Sequence, residues 1–119
     1  MRKSIAVMLA FVLMIAVSLH ANAASESGEI VVPGLSFSGT TATCSLDVCA
    51  ANATDSIIAS ITLKHGNSTI KQWTNLTDTG IMLFSDSATV VHGQTYTMHV
   101  TLSINGISYI VADITKTCP

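Results

Sequence analysis

Three cysteines, four histidines and seven carboxylates are the side chains of this 119-residue chain that could hold a metal, attack a carbonyl or carry a proton. To bind zinc, Cys44, Cys49 and Cys118 would have to gather with His65, His92 and His99. No Cys-x-x-Cys or His-x-His spacing occurs, and on a strand the four residues between Cys44 and Cys49 send the two side chains to opposite faces. Asp78 and Asp86 flank a short apolar piece and could meet in space, yet turn aspartates ordinarily close Asx turns. The chain contains no Gly-x-Ser-x-Gly elbow, no His-Glu-x-x-His motif and no phosphate loop. The expectation is therefore a non-enzyme with no catalytic residue, no cofactor and no metal.

The elements that would position any site begin after residue 23. Arg2 and Lys3, an apolar run from Ile5 to Leu19 and the small residues of Ala21-Asn22-Ala23 form the three parts of a secretion signal cleaved before Ala24. An uncleaved anchor is the alternative, but the run is short for a bilayer and no positive stop-transfer cluster follows. No cysteine closes the run for lipid attachment and no second apolar stretch follows, so no membrane association is expected after cleavage. Cleavage leaves 96 of the 119 residues, enough for one domain. The remaining Lys64, Lys71 and Lys116 stand against seven carboxylates, a net charge of −4 with no basic stripe, which argues against nucleic acid. At 49% hydrophobic and 10% charged, the chain is too apolar for disorder and too weakly charged for a coiled coil. A secreted, extracellular globular domain is expected.

Residues 24–34 read as a flexible leader entering an edge strand, because Pro33 cannot donate to a central ladder. Residues 35–119 then form the domain. From Thr41 to Ala50 the apolar positions Ala42, Cys44, Leu46, Val48 and Ala50 alternate with polar ones, and Ile57, Ala59, Ile61 and Leu63 repeat the period. A turn over His65–Ser68 leads to a returning strand over Thr69–Thr74, and Asn75–Gly80 is expected to break it. Ile81–Phe84 and Ala88–Val91 are either two short strands or one interrupted by a bulge. Asn105-Gly106 is the pair that a two-residue type I′ hairpin turn prefers, between strands over Gln94–Ile104 and Ile107–Thr117. That turn pairs Ile104 with Ile107, Ser103 with Ser108, Leu102 with Tyr109, Val100 with Val111 and His99 with Ala112. About seven strands at roughly ten-residue spacing, with no helix, make an all-β antiparallel two-sheet sandwich.

Gly93-Gln94-Thr95-Tyr96, followed by alternating Met98, Val100 and Leu102, resembles the corner of immunoglobulin-like and fibronectin type III-like sandwiches, where a tyrosine hydroxyl bonds back across the turn. With the stretches TATCSLDV, SIIASITL and TYTMHVTLSINGISY, the chain is similar to the short secreted single-domain β-sandwich proteins of Gram-positive bacteria. The resemblance implies the fold, with Tyr96 as the tyrosine corner, and implies no activity. Met98 stands where the antibody-type sandwich has its second cysteine.

An odd cysteine count leaves one thiol over. Cys44 and Cys49 are about 16 Å apart on an extended strand, beyond the roughly 4.4–6.8 Å of a disulfide. A last strand antiparallel to the second brings Cys118 to the pole where that second strand starts. A Cys44–Cys118 bridge is thus the better pairing, with Cys44 as a buried small hydrophobe the alternative. Cys49 is then the candidate free thiol, able to link a homodimer. Asn52, Asn67 and Asn75 head sequons on predicted loops, and Trp73 is expected to fill core rather than anchor a partner. Secretion, a sandwich and no catalytic set together point to an interaction or structural module for an extracellular or cell-wall partner. The alternative is a small secreted hydrolase or metal-dependent enzyme using loop Asp and His residues, which would require His65, His92, His99, Asp78 and Asp86 to converge.

Overall fold

The computed structural model describes residues 28–119, so the expected signal peptide over 1–23 and the start of the leader lie outside the described residues. Eight strands follow one another: β1 (Ile30–Ser38), β2 (Thr41–Cys49), β3 (Ser56–His65), β4 (Ser68–Thr79), β5 (Ile81–Thr89), β6 (Thr95–Ile104), β7 (Ile107–Ile110) and β8 (Ile114–Thr117). They form two antiparallel sheets, one in the order β1-β2-β5 and one in the order β4-β3-β6 with β7 and β8 both on the far side of β6. Pro33 sits on β1, an edge strand, where its missing N–H interrupts no ladder.

The period-two pattern decides which face each strand buries. Ala42, Cys44, Leu46 and Val48 of β2, Ile57, Ala59, Ile61 and Leu63 of β3, and Tyr96, Met98, Val100, Leu102 and Ile104 of β6 are all buried in one core between the sheets. The Thr and Ser residues between them face outward.

Three elements differ from the sequence reading. β4 continues through Asn75–Thr79 because Asn75 adopts a left-handed φ of 55° and gives its N–H to Ser60 Oγ at 3.2 Å. The expected break is a bulge in one long strand, with the register against β3 shifting between Ala59 and Ile61. Ile81–Thr89 is a single strand, since Ser85, Asp86 and Ser87 pair with Ser45, Cys44 and Thr43 without interruption. The last strand is split into β7 and β8. Asn105 and Gly106 take φ values of 53° and 81° as a type I′ turn requires, and Ile104–Ile107, Ser103–Ser108 and Leu102–Tyr109 pair as expected. Beyond Thr101–Ile110 one extra residue enters, so Met98 pairs with Ile114 and the expected Val100–Val111 and His99–Ala112 pairs do not form.

Each pole has its own closure. At the entry pole, where β1 begins, Asp55 and Glu29 are buried carboxylates held by polar partners. Asp55 receives the Asn52 N–H at 3.0 Å and Asn105 Nδ2 at 2.8 Å, while Glu29 Oε2 receives the Tyr109 hydroxyl at 2.8 Å. Gly80 carries the chain from one sheet to the other at this pole. Its N–H reaches Asp55 O and its carbonyl accepts from Ala50, both at 2.8 Å. At the exit pole the chain end is tied down by Cys118, whose N–H donates to Gln94 O and whose carbonyl accepts from Gly93.

Candidate functional site

Cys44 and Cys118 are both buried and remain separate thiols, so the expected Cys44–Cys118 bridge is not formed. The reason is their height in the sandwich. Cys44 lies three residues inside β2, between Leu35 and Asp86, roughly 10 Å along the strand from its start. Cys118 stands at the exit pole itself, its Sγ 3.4 Å from Gly39 O. Burial, with the Asp86 carboxylate adding to it, pushes the Cys44 thiol up to about 11, and a protonated, enclosed thiol is a poor nucleophile. Cys49 is half-buried at the end of β2, its Sγ 3.9 Å from Ala50 O.

Tyr96 occupies the corner before β6. It is buried, its hydroxyl accepts the Val91 N–H at 2.9 Å, and its ring packs against Phe37 and His65 at centroid distances of 6.0 and 5.5 Å. This bond spans the crossing from β5 to β6, so the tyrosine is an architectural clasp. Trp73 fills the open side between the two sheets. Its ring meets Phe84 edge-on at 5.7 Å, its Nε1 donates to Asp86 Oδ2 at 2.9 Å, and the Lys71 ammonium lies 5.3 Å from the ring centroid. Those bonds hold Asp86 below the usual carboxylate range, the Ser87 N–H contributing most and Trp73 next.

The five residues that a hydrolase would need are spread over the fold. His65 and His92 lie at the exit pole, Asp78 near the end of β4 at the entry pole, Asp86 beside Trp73, and His99 on the outer face of the larger sheet. Among the described residues no group of three or more His, Cys, Asp or Glu side chains is placed to hold a metal ion. His99 does find a carboxylate, but it is Asp113, with Nδ1 and Oδ1 2.7 Å apart and both side chains half exposed. Only the extra residue between β7 and β8 brings Asp113 opposite His99, and nothing in the local sequence announces a bulge there. A shallow hollow of about 150 Å³ in the same sheet is lined by Ile58, Ala59, Ser60, Thr101, Leu102, Ser103 and Ser108, and neither His99 nor Asp113 lines it. The sequon asparagines Asn52, Asn67 and Asn75 are all exposed, the last within β4 rather than on a loop.

The smaller sheet carries the feature that sequence reading overlooked. On its outer face the cross-strand rows Ile30–Cys49–Ile81 and Val32–Asp47–Leu83 form an apolar half around one carboxylate. Leu83 is 68% exposed and Ile81 40%. The signal was present: Ile30–Val32 and Ile81–Phe84 are apolar at both parities, whereas a strand buried on one side needs only one apolar parity. Burial among these neighbours raises the Asp47 carboxyl above its ordinary range. Compared with family models and with curated proteins, the chain matches none.

Proposed function

We propose that the protein is a secreted, non-enzymatic interaction module of the immunoglobulin-like or fibronectin type III-like kind, engaging an extracellular or cell-wall partner. The strand order β1-β2-β5 against β4-β3-β6-β7/β8 and the clasp of Tyr96 on Val91 support the sandwich type. The observation that carries the functional reading is the apolar half of the smaller sheet's outer face, with Leu83 and Ile81 in solvent beside Ile30 and Val32. Single exposed apolar residues are ordinary, but a contiguous patch rimmed by hydroxyls marks a surface that is covered in use.

The test compares wild type with Leu83→Ser for retention on purified cell wall and on extracellular matrix, with Thr115→Ser on the opposite sheet as control. Loss of retention with Leu83→Ser alone supports the reading, and equal retention of all three proteins overturns it. A second reading, a small hydrolase, has the His99–Asp113 pair in its favour. Turnover of activated esters that His99→Ala abolishes would establish it.

A further inference from the structure

The outer face of the smaller sheet divides in two. Towards the exit pole its rows are Gly34–Ser45–Ser85 and Ser36–Thr43–Ser87, small and hydroxylated, and towards the entry pole they are Ile30–Cys49–Ile81 and Val32–Asp47–Leu83. Among the described residues, Asp47 is the one charged side chain that these three strands turn to this face. It has Val32 and Leu83 directly across on either side and Cys49 two residues along. No described side chain pairs with it.

A purely apolar occupant would strip the remaining water from Asp47 and leave a carboxylate without a partner, which disfavours binding. An anion on a flat apolar face is matched by a cation on an aliphatic stem, the stem lying on the collar and the head meeting the carboxylate. The described lysines are poor sources of that cation. Lys71 Nζ is held by Ser87 O at 3.1 Å and Lys116 Nζ by Leu35 O at 2.8 Å, and Lys64 stands near the exit-pole end of β3 in the other sheet. The domain's net negative charge also opposes docking of a second copy.

We propose that this face docks a partner segment presenting a Lys or Arg between apolar neighbours, the cation seated on Asp47 and the neighbours on Leu83, Val32 and Ile81. The proposal rests on the interaction-module reading and adds the chemistry of the partner. The raised carboxyl of Asp47 accords with it, since the collar has already removed part of the carboxylate's hydration.

A random peptide library displayed on phage is selected against the secreted protein, and the enriched peptides are synthesised and titrated against wild type, Asp47→Asn, Leu83→Ser and Thr115→Ser. Both test positions lie at the surface, and circular dichroism melts verify that each variant folds. The expected peptides share a Lys or Arg flanked by apolar residues and lose about tenfold or more in affinity for Asp47→Asn and for Leu83→Ser, with Thr115→Ser unchanged. Replacing the peptide cation by norleucine should reproduce the Asp47→Asn loss, and combining both changes should cost nothing further. Peptides that depend on Leu83 but need neither cation nor Asp47 would overturn the cation proposal and leave the interaction module standing. Enriched peptides indifferent to Leu83, or no enrichment at all, would overturn both. A dimer in sedimentation equilibrium that Leu83→Ser dissolves would make a second copy the occupant and likewise overturn the proposal.

Discussion

Asn105 Nδ2 donates to Asp55 Oδ1 at 2.8 Å across fifty residues of chain, while Asn105 Oδ1 accepts the Ser56 N–H at the same distance. The hairpin turn between β6 and β7 is thereby latched to the loop that enters β3. One side chain does two jobs: it tolerates the left-handed φ of 53° and supplies two bonds that backbone groups and a buried carboxylate would otherwise lack. Asn105→Ala should cost roughly 2–3 kcal/mol in urea unfolding, through strain and the loss of the partner of the buried Asp55 Oδ1, while Oδ2 keeps the Asn52 N–H. Asn105→Gly keeps the turn and removes only the bonds, and should cost about half as much. A glycine variant as stable as wild type would show that the latch carries nothing.

Cys44 gives the fold a distinct response to alkali. Its unfolded thiol ionises near 9.0, whereas in the native core the proton is retained up to about 11. As pH rises the unfolded state sheds its proton first. The contribution is therefore fully present below about pH 9 and lost progressively towards pH 11, by roughly 2–3 kcal/mol in all. The Tyr109 hydroxyl, raised chiefly by its bond to Glu29, titrates in the same sense. The test is the difference in urea midpoints between pH 8 and pH 10.5 for wild type and Cys44→Ala: the variant should show the smaller decline. Equal declines would remove Cys44 as the cause.

The sequence makes plain what depends on period and on turn chemistry. Alternation in Thr41–Ala50 and Ile57–Leu63 identifies the buried faces of β2 and β3, and Asn105-Gly106 sets the register of the nearest four pairs. It fails where one residue is inserted or shifted. Asn75 becomes a bulge because Ser60 on the neighbouring strand takes its N–H, a partner no local pattern reveals. The residue added between β7 and β8 replaces Ala112 by Asp113 opposite His99. The distance of Cys44 from the exit pole, which keeps it from Cys118, is likewise a matter of how far β2 extends past it. The patch around Asp47 was hidden for another reason. Parity shows that Ile81 and Leu83 face away from Met82 and Phe84, but only the strand order shows that among the described residues no further layer covers them.

Trp73 reports on Asp86. It is the sole tryptophan of the chain, and its indole N–H is bonded to the Asp86 carboxylate at 2.9 Å. Because the folded carboxyl titrates below the ordinary 3.8, its bonds are in place above that pH and are lost as pH falls through the lowered value. Native tryptophan emission should therefore stay constant to below pH 3.8 and then change in one step. Asp86→Asn should abolish that step while leaving the emission maximum at neutral pH near that of wild type. A step centred at or above 3.8 would mean that the bond does not favour the ionised form.

Gly80 is the position where the two sheets depend on a missing side chain. Its φ of 78° is costly for any residue with a Cβ, and a Cβ built there would stand 2.6 Å from Ala53 O and 3.1 Å from Ala53 Cα. The obstacle is backbone rather than a side-chain tip. Relief would have to displace the Asn52–Asp55 loop, and with it the Asp55 N–H bond to Asn52 O at 3.1 Å and the Gly80 N–H bond to Asp55 O at 2.8 Å. Gly80→Ala should therefore destabilise by more than the roughly 1 kcal/mol of a strained dihedral alone, about 2–4 kcal/mol in urea unfolding. Gly39 separates the two causes. Its φ of 60° is also left-handed, but a Cβ there meets nothing within 4 Å, so Gly39→Ala should carry the dihedral cost without the clash. Equal losses at the two positions would show that the crossing at Gly80 yields without disturbing the loop above it.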